Sequence, residues 1–137
     1  MLIRWIRNQG GYPLIPPTVY GSGCGGAELA LVYLTQELAL KGHDIQVFGN
    51  TGNQDGFYNS VNWLSLELYE QYAKDSCDVT VVYRVPTTLR LNSQARVFFS
   101  CDQYTSGDWN SYVADNEPML FFCISNYHAE YIRRNYQ

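Results

Sequence analysis

The residues best suited to binding a ligand stand in a glycine-rich segment, Gly21-Ser22-Gly23-Cys24-Gly25-Gly26, which runs directly into a sequence with helical periodicity. Glycine leaves the backbone bare and tolerates positive φ, so this main chain can approach a substrate closely. The following helix start presents unpaired N–H groups and a positive dipole end, which suit a phosphate or a carboxylate. We therefore predict ligand contacts at Gly23, Gly25 and Gly26; a flexible crossover without a ligand is the alternative.

The same glycines raise the question of a dinucleotide site, because Gly21, Gly23 and Gly26 fit the pattern G-x-G-x-x-G. In that pattern the first glycine ends the first strand, whereas here about a dozen residues separate the loop from the first predicted strand. The second predicted strand is followed by Asn50 rather than by an acid that would hold a ribose. A nicotinamide-dependent oxidoreductase is therefore a poor alternative.

Further polar residues stand beside the predicted helix and after other predicted strands. Glu28 falls in the first helical turn, where it complements the helix dipole, and we expect it to turn away from a bound phosphate. Arg84 follows a buried β-branched run, and it meets either a ligand anion or a neighbouring acid. Asp102 has either a polar role or only local backbone hydrogen bonds. Ser125 and Tyr127 begin the last helix and complete the predicted set of binding residues.

Other reactive residue types give no site. The four cysteines stand at positions 24, 77, 101 and 123, without metal-clip spacing. Nothing visible lowers the pKa of Cys101, so we expect an inert thiol. The spacing of Asp102, Asp108 and Asp115 matches no known metal loop. His128 lies in the first turn of the last predicted helix, and a ligand contact there is the less favoured interpretation. The sequence predicts no metal site and assigns no catalytic residue.

Hydrophobic patterning determines the elements that must position these residues. The predicted strands are Leu2–Arg7, Asp44–Gly49, Val61–Leu66, Val79–Val85, Arg96–Ser100 and Met119–Ile124, and the predicted helices are Ala27–Lys41, Glu67–Ser76 and Tyr127–Asn135. Asn8–Gly26 reads as a long structureless connection, and Asn50–Asn59 as a loop. The alternation predicts an α/β fold: a Rossmann-like, mostly parallel sheet of six or seven strands with helices on both faces. Ligands bind such sheets beyond the C-terminal ends of the strands, where the residues above stand.

The composition describes one folded domain, residues 1–137. Hydrophobic residues make up 46% of the chain and charged residues 16%, which suffices for a core without disulfides. The net charge of −4 argues against a nucleic-acid partner, because a phosphate footprint needs clustered basic charge. The longest apolar runs are too short to form a transmembrane segment, and no secretory signal is visible. We expect a cytoplasmic protein.

Two blocks of sequence resemble family 4 of the glycosyltransferases with the GT-B fold. The first is Gly25-Gly26-Ala27-Glu28, followed by an amphipathic helix and Lys41-Gly42-His43-Asp44-Ile45-Gln46-Val47-Phe48. It resembles the Gly-Gly-x-Glu loop, helix and Gly-His-acid turn near the start of that family. The second, Phe122-Cys123-Ile124-Ser125-Asn126-Tyr127-His128, is similar to its strand–Ser–aromatic–helix segment. The order and distance of the blocks fit the N-terminal domain. Cys101-Asp102 stands where the family frequently has His-Asp, whose histidine commonly contacts the sugar.

The resemblance implies a retaining transfer of a sugar from a nucleotide-sugar donor to an acceptor, which is a glycan, a lipid or a small molecule. The nucleotide sugar is a substrate, and no cofactor is expected. This chain would be the acceptor-side half, and the C-terminal domain that binds most of the nucleotide is absent. We therefore expect the isolated chain to be inactive, and expect its bare interdomain face to promote self-association. A stand-alone α/β module that binds a nucleotide or phosphorylated ligand without catalysis is the alternative.

Overall fold

The computed structural model describes residues 1–7, 12–101 and 120–135, which form one seven-stranded sheet with helices. The strands are β1 (Leu2–Ile6), β2 (Asp44–Gly49), β3 (Gly56–Tyr58), β4 (Val61–Ser65), β5 (Cys77–Tyr83), β6 (Ser93–Ser100) and β7 (Leu120–Cys123). The helices are α1 (Pro16–Ser22), α2 (Gly26–Leu40), α3 (Tyr69–Tyr72) and α4 (Asn126–Asn135), with one 3₁₀ turn at Leu66–Leu68.

The sheet confirms the predicted parallel architecture. Its order is β3-β4-β2-β1-β5-β6-β7, and β3–β4 is the one antiparallel pair. If β3 is left out and the other six strands are renumbered in chain order, the sheet order is 3-2-1-4-5-6, which is the Rossmann order. Most of the run predicted as a strand at Val79–Val85 lies in β5, which ends at Tyr83 and stands between β1 and β6 rather than at an edge.

Apolar side chains cover both faces of the sheet, as predicted. On one face Trp5 lies level with Val47 and Val81 on the neighbouring strands, under α1 and α2. The other face packs beneath the 3₁₀ turn and α3, where the rings of Phe48 and Tyr69 meet edge to face at a centroid distance of 5.4 Å. These two layers fix the sheet between helices and therefore hold its C-terminal edge in place.

The structure corrects the prediction of an unbroken structureless connection over residues 8–26, because residues 16–22 form α1. Two prolines, Pro16 and Pro17, occupy its first turn, where a missing N–H costs nothing and φ is already helical. The Thr18 hydroxyl accepts a hydrogen bond from the Ile15 N–H at 3.1 Å and so satisfies one free donor at the helix start. Gly23, with φ +77°, ends α1 and lets the chain turn towards α2.

Two further elements differ from prediction. Residues 56–58, predicted as loop, form β3, which turns into β4 through Asn59 and Ser60, both at positive φ. That pair of left-handed residues is the backbone of a tight hairpin turn. The helix predicted over Glu67–Ser76 becomes the 3₁₀ turn and the short α3. The Arg4 side chain of β1 donates hydrogen bonds to two carbonyls at the end of α3, that of Tyr72 at 2.9 Å and that of Asp75 at 2.7 Å.

Candidate functional site

The start of α2 lies at the point where the sheet changes direction. From β1 the sheet continues through β2 on one side and through β5 on the other, so the connections after β1 and β5 diverge. Rossmann-type sheets bind ligands in the crevice at this point, at the carboxyl ends of the strands. Three charged side chains meet there: Arg7 after β1, Glu28 in the first turn of α2, and Arg84 after β5.

The two glycines that open α2 are exposed and differ in their surroundings. Gly25 is the N-cap, with φ −69° and ψ 163°, and Gly26 is the first helical residue. A Cβ built on Gly26 has no atom within 4 Å, so the face of the helix start is open. A Cβ on Gly25 would lie 2.6 Å from Glu28 Oε2. The absence of a side chain at Gly25 therefore leaves room for the Glu28 carboxylate to fold back towards the N-cap.

Glu28 links the two strand ends. Its Oε1 lies 3.4 Å from Arg84 Nη1 and 3.8 Å from Arg7 Nη2. The residue is buried, with 8% of its surface exposed, and the helix dipole stabilises a carboxylate in this turn. The Glu28 carboxylate thus folds back over Gly25 and pairs with the two strand ends, and the expectation that it turns away from a bound phosphate stays a prediction.

Arg7 is the most unusual member of this cluster. It is 3% exposed, and its Nε and Nη1 have no hydrogen-bond partner within the described part of the chain. Its guanidinium carbon lies 5.9 Å from the centroid of the Tyr12 ring. Burial lowers the pKa of Arg7, an effect that the Glu28 carboxylate partly offsets, and an arginine stays charged under such shifts. A buried donor without a hydrogen-bond partner lowers the stability of the folded state, so the burial of Arg7 is unfavourable by itself.

Arg84 has an unfavourable backbone conformation, with φ +71°. Its N–H donates to the Phe99 carbonyl at 2.9 Å, and the next N–H, of Val85, donates to the Tyr83 carbonyl at 2.8 Å. These two bonds hold the left-handed turn that directs the Arg84 side chain back towards Glu28. Non-glycine residues in this region carry strain and cluster at functional sites.

Tyr83, the last residue of β5, ties the helix start to the sheet. Its hydroxyl donates to the Ala27 carbonyl at 2.7 Å. Burial, followed by the neighbouring Cys101 thiol, raises the pKa of this hydroxyl, so Tyr83 remains a neutral donor. Cys101 therefore lies beside the residue that positions α2.

A groove of about 530 Å³ opens beside the glycine-rich segment. Its lining includes Tyr12, Ser22, Gly23, Cys24 and Gln54. The Tyr12 ring also lies over the Arg7 guanidinium, so the groove adjoins the charged cluster. Burial raises the pKa of the Cys24 thiol, and Glu28 raises it further, so Cys24 is a wall of the groove rather than a nucleophile.

Ser125 and Tyr127 lie apart from the cluster, at the start of α4. Their strand, β7, is three strands from β1, which is about 14 Å at the usual spacing of a sheet. The Ser125 hydroxyl accepts a hydrogen bond from the His128 N–H at 3.1 Å and so caps α4. Tyr127 is 74% exposed. His128 is buried, and its Nε2 lies 3.1 Å from the Ser100 hydroxyl, which joins α4 to β6.

The structure thus brings together four of the predicted residues, Gly25, Gly26, Glu28 and Arg84. Gly23 lines the adjoining groove, and Asp102, like Asp108 and Asp115, lies outside the described residues. Among the described residues no three metal-ligating side chains are grouped, and no helix is long and apolar enough to cross a membrane. Sequence reasoning missed Arg7. The available signal was the position of Arg7 at the C-terminal end of the first predicted strand.

Comparisons of the chain with models of protein families, with curated protein sequences and with solved structures gave no match.

Proposed function

We propose that this chain is the N-terminal, acceptor-side half of a retaining glycosyltransferase that uses a nucleotide-sugar donor. The observation that supports it most is the exposed start of α2, Gly25 and Gly26, at the crevice between β1 and β5. A bare backbone at a helix N-terminus suits the close approach of an anionic or hydroxyl-rich substrate. The Gly-Gly-Ala-Glu motif that resembles family 4 supplies these same atoms.

The chemistry of the described residues supports a binding half rather than a complete active site. Glu28 is held between two cations, and burial raises the pKa of the thiols of Cys24 and Cys123, so none is a ready general base or nucleophile. In a GT-B enzyme the donor nucleotide binds mainly to a second domain, and the reaction occurs between the two. In this proposal the enzyme acts in the cytoplasm, and the groove beside Gly23 receives the acceptor.

The second candidate is a stand-alone module that binds a phosphorylated ligand without catalysis. The charged cluster favours it, because the guanidinium groups of Arg7 and Arg84 lie at the start of α2, where a helix N-terminus favours an anion. A nicotinamide enzyme has less support. Asn50, after β2, directs its side-chain oxygen to the Gly52 N–H at 3.0 Å, and it is no acid for a ribose.

The proposal is tested by assaying the full reading frame that contains this chain with a panel of nucleotide sugars, following release of the nucleoside diphosphate. We expect turnover by the full protein and none by residues 1–137 alone. We expect Gly26→Val to lower kcat/KM at least about a hundredfold, because the added side chain occupies the open face of the helix start. The fold should survive, since a Cβ there meets no atom within 4 Å.

Glu37→Val is the matched control, because it places the same side chain on an exposed position of α2 far from the helix start. It should leave kcat/KM unchanged. Unchanged turnover in a folded Gly26→Val enzyme would remove the helix start from the site. Transfer by the isolated chain, or no turnover of any donor by the full protein, would contradict the glycosyltransferase proposal.

A further inference from the structure

The groove beside Gly23 has walls that are fixed to each other. The segment after β1 and the loop after β2 meet where the Leu14 N–H donates to the Asn50 carbonyl at 2.8 Å. Next to this bond Gly52, at φ +63°, packs directly on Pro13, since a Cβ on Gly52 would lie 2.7 Å from the Pro13 Cγ. The groove is thus built into the fold, and its volume of about 530 Å³ lies within the range of about 300–1,000 Å³ that is typical of small-molecule sites.

The lining of this groove is uncharged. None of the described residues that line it is an Asp, Glu, Lys or Arg. Burial raises the pKa of the Cys24 thiol, so this part of the wall is neutral as well. A charged ligand would lose hydration in the groove without gaining a counter-ion from these residues. The groove therefore favours a neutral ligand.

Tyr12 provides the groove with an aromatic surface that Arg7 supports from one side. The Arg7 guanidinium carbon lies 5.9 Å from the centroid of the Tyr12 ring, and Arg7 itself is buried. Tyr12 is nevertheless 53% exposed, so a large part of its ring remains open to a ligand. The negative face of such a ring attracts weakly polarised C–H groups, and a tyrosine loses little conformational entropy on binding. A sugar ring, with C–H groups on its faces and hydroxyls at its rim, matches this surface.

Two polar side chains of the lining have hydrogen-bonding capacity to spare. The Gln54 side chain is exposed, and its amide makes no hydrogen bond within the described part of the chain. The Ser22 hydroxyl donates to the Thr18 carbonyl at 2.9 Å, which leaves its oxygen able to accept. A sugar hydroxyl both donates and accepts, so it can bond to either group. An acyl chain in the groove would remove water from these groups without replacing the hydrogen bonds.

We propose that this groove binds a neutral saccharide unit of the acceptor, with the sugar ring stacked on Tyr12 and its hydroxyls bonded to Gln54 and Ser22. The inference rests on the proposed function, and it narrows the acceptor from a glycan, a lipid or a small molecule to one that carries a sugar. A groove that is only a depression between two packed loops predicts no saturable binding.

The test titrates the 137-residue chain with the neutral methyl glycosides of glucose, mannose, galactose and N-acetylglucosamine. Two-dimensional ¹H–¹⁵N NMR follows the backbone amide of Gly23 and the side-chain amide of Gln54. We expect saturable shifts of both signals with at least one glycoside, at a dissociation constant in the millimolar range that so small a ligand can reach. Hexanol and glucose 6-phosphate are the comparison probes for an apolar and for an anionic ligand.

Tyr12→Ser should weaken glycoside binding about tenfold or more, because the stacking surface is lost, whereas Tyr12→Phe keeps the ring and should change the affinity less than about threefold. Tyr33→Ser is the matched control, since Tyr33 is 50% exposed on α2 and is not among the described residues of the lining. It should leave the affinity unchanged. Gln54→Ala should weaken binding about fivefold by removing a hydrogen bond, and it decides the matter if Tyr12→Ser does not fold.

Three results would overturn the saccharide site: no saturable shifts with any of the glycosides, tighter binding of hexanol or glucose 6-phosphate than of every glycoside, or equal weakening by Tyr12→Ser and Tyr33→Ser. The glycosyltransferase proposal fails separately, through lack of turnover by the full protein with any donor. Saccharide binding without such turnover removes only the enzyme. Transfer to an acceptor that contains no sugar removes only the saccharide site.

Discussion

At the scale of single residues, the site is governed by how Glu28 and its two arginines share buried charge. Transfer of an ionised side chain out of water is costly unless a counter-ion and hydrogen bonds replace the lost solvent. Glu28 supplies that counter-ion to Arg7, which has no other acid within 4 Å among the described residues. The carboxylate is therefore a structural requirement of the cluster.

We predict that Glu28→Ala lowers the free energy of unfolding by about 2–4 kcal/mol, because it leaves the Arg7 charge buried without a partner. The double variant Glu28→Ala/Arg7→Met should regain part of that loss, since the unpaired charge is then gone. Urea denaturation followed by circular dichroism measures both. Glu130→Ala, which breaks the exposed pair with Arg133, is the control and should cost less than about 0.5 kcal/mol. Equal effects at Glu28 and Glu130 would contradict a buried role for Glu28.

Sequence reasoning predicts some of these residues and misses one. The position of the glycines and Glu28 at the crevice is predictable, because the loop after the first strand of an open parallel sheet lies at the C-terminal edge. Arg84 is predictable as a cation at the end of a strand, and its pairing with an acid, the stated alternative, is what the structure contains. Arg7 is missed because alternation along β1 does not reveal which buried arginine finds partners. Arg4 has hydrogen-bond partners, whereas two side-chain nitrogens of Arg7 have none among the described residues.

At the scale of elements, periodicity predicts α2 and most of its buried side. Of the apolar residues at helical spacing, Leu31 is buried and Ala27 and Leu38 pack against the core, whereas Leu34 is 38% exposed. Glu28, Val32 and Thr35 are buried as well. Thr35 tolerates burial because its hydroxyl donates to the Leu31 carbonyl at 2.8 Å. The burial of Glu28 accompanies its ion pairs with two arginines, a tertiary effect that periodicity does not contain.

The loop after β2 is held by one carboxylate, which makes its stability depend on pH. Asp55 accepts hydrogen bonds from the Ser65 N–H at 2.8 Å, from the Ser65 hydroxyl at 2.6 Å and from the Thr51 hydroxyl. Burial alone raises the pKa of Asp55, but these hydrogen bonds, led by that from the Ser65 side chain, outweigh it and lower the pKa overall. The folded state therefore favours the ionised form.

We predict that Asp55→Asn lowers stability at neutral pH and that its effect disappears in acid. Because the pKa of Asp55 is lower in the folded than in the unfolded chain, its contribution is present above the unfolded value of about 3.9 and is lost as the pH falls through the folded value. The measurement compares urea denaturation of both proteins at neutral pH and at about pH 3. A difference in stability that is equal at the two pH values would show that the ionised carboxylate is not the stabilising form.

At the scale of the whole molecule, strand–helix alternation predicts the parallel sheet, and β-branched residues predict that β5 is central. The order of the strands is not predictable in this way, because the central strands bury both faces and many neighbours would satisfy them. The order decides the site, since it places the ends of β1 and β5 side by side and so brings Arg7 and Arg84 onto one carboxylate. The two arginines are 77 residues apart in the sequence, at positions 7 and 84, and no sequence pattern indicates that they meet.

The final prediction concerns the exposed C-terminal edge of the sheet. Tyr12, after β1, is 53% exposed, and Tyr127, after β7, is 74% exposed. In the proposed enzyme a second domain faces this edge, so the isolated chain should form weak dimers through it. We expect Tyr12→Ser/Tyr127→Ser to raise the dimer dissociation constant about tenfold, by removing two aromatic contacts in each copy.

Leu40→Ser distinguishes this interface from non-specific association through exposed apolar side chains. Leu40 is 75% exposed at the end of α2, which leads into the start of β2, so it lies at the opposite edge of the sheet. Its replacement removes an exposed apolar side chain at that opposite edge and should leave dimerisation unchanged. Sedimentation velocity over the accessible concentration range measures all three proteins. A strict monomer at high concentration, or equal weakening by Leu40→Ser, would mean that the C-terminal edge carries no interface, and the case for a facing domain would then rest on the two sequence blocks alone.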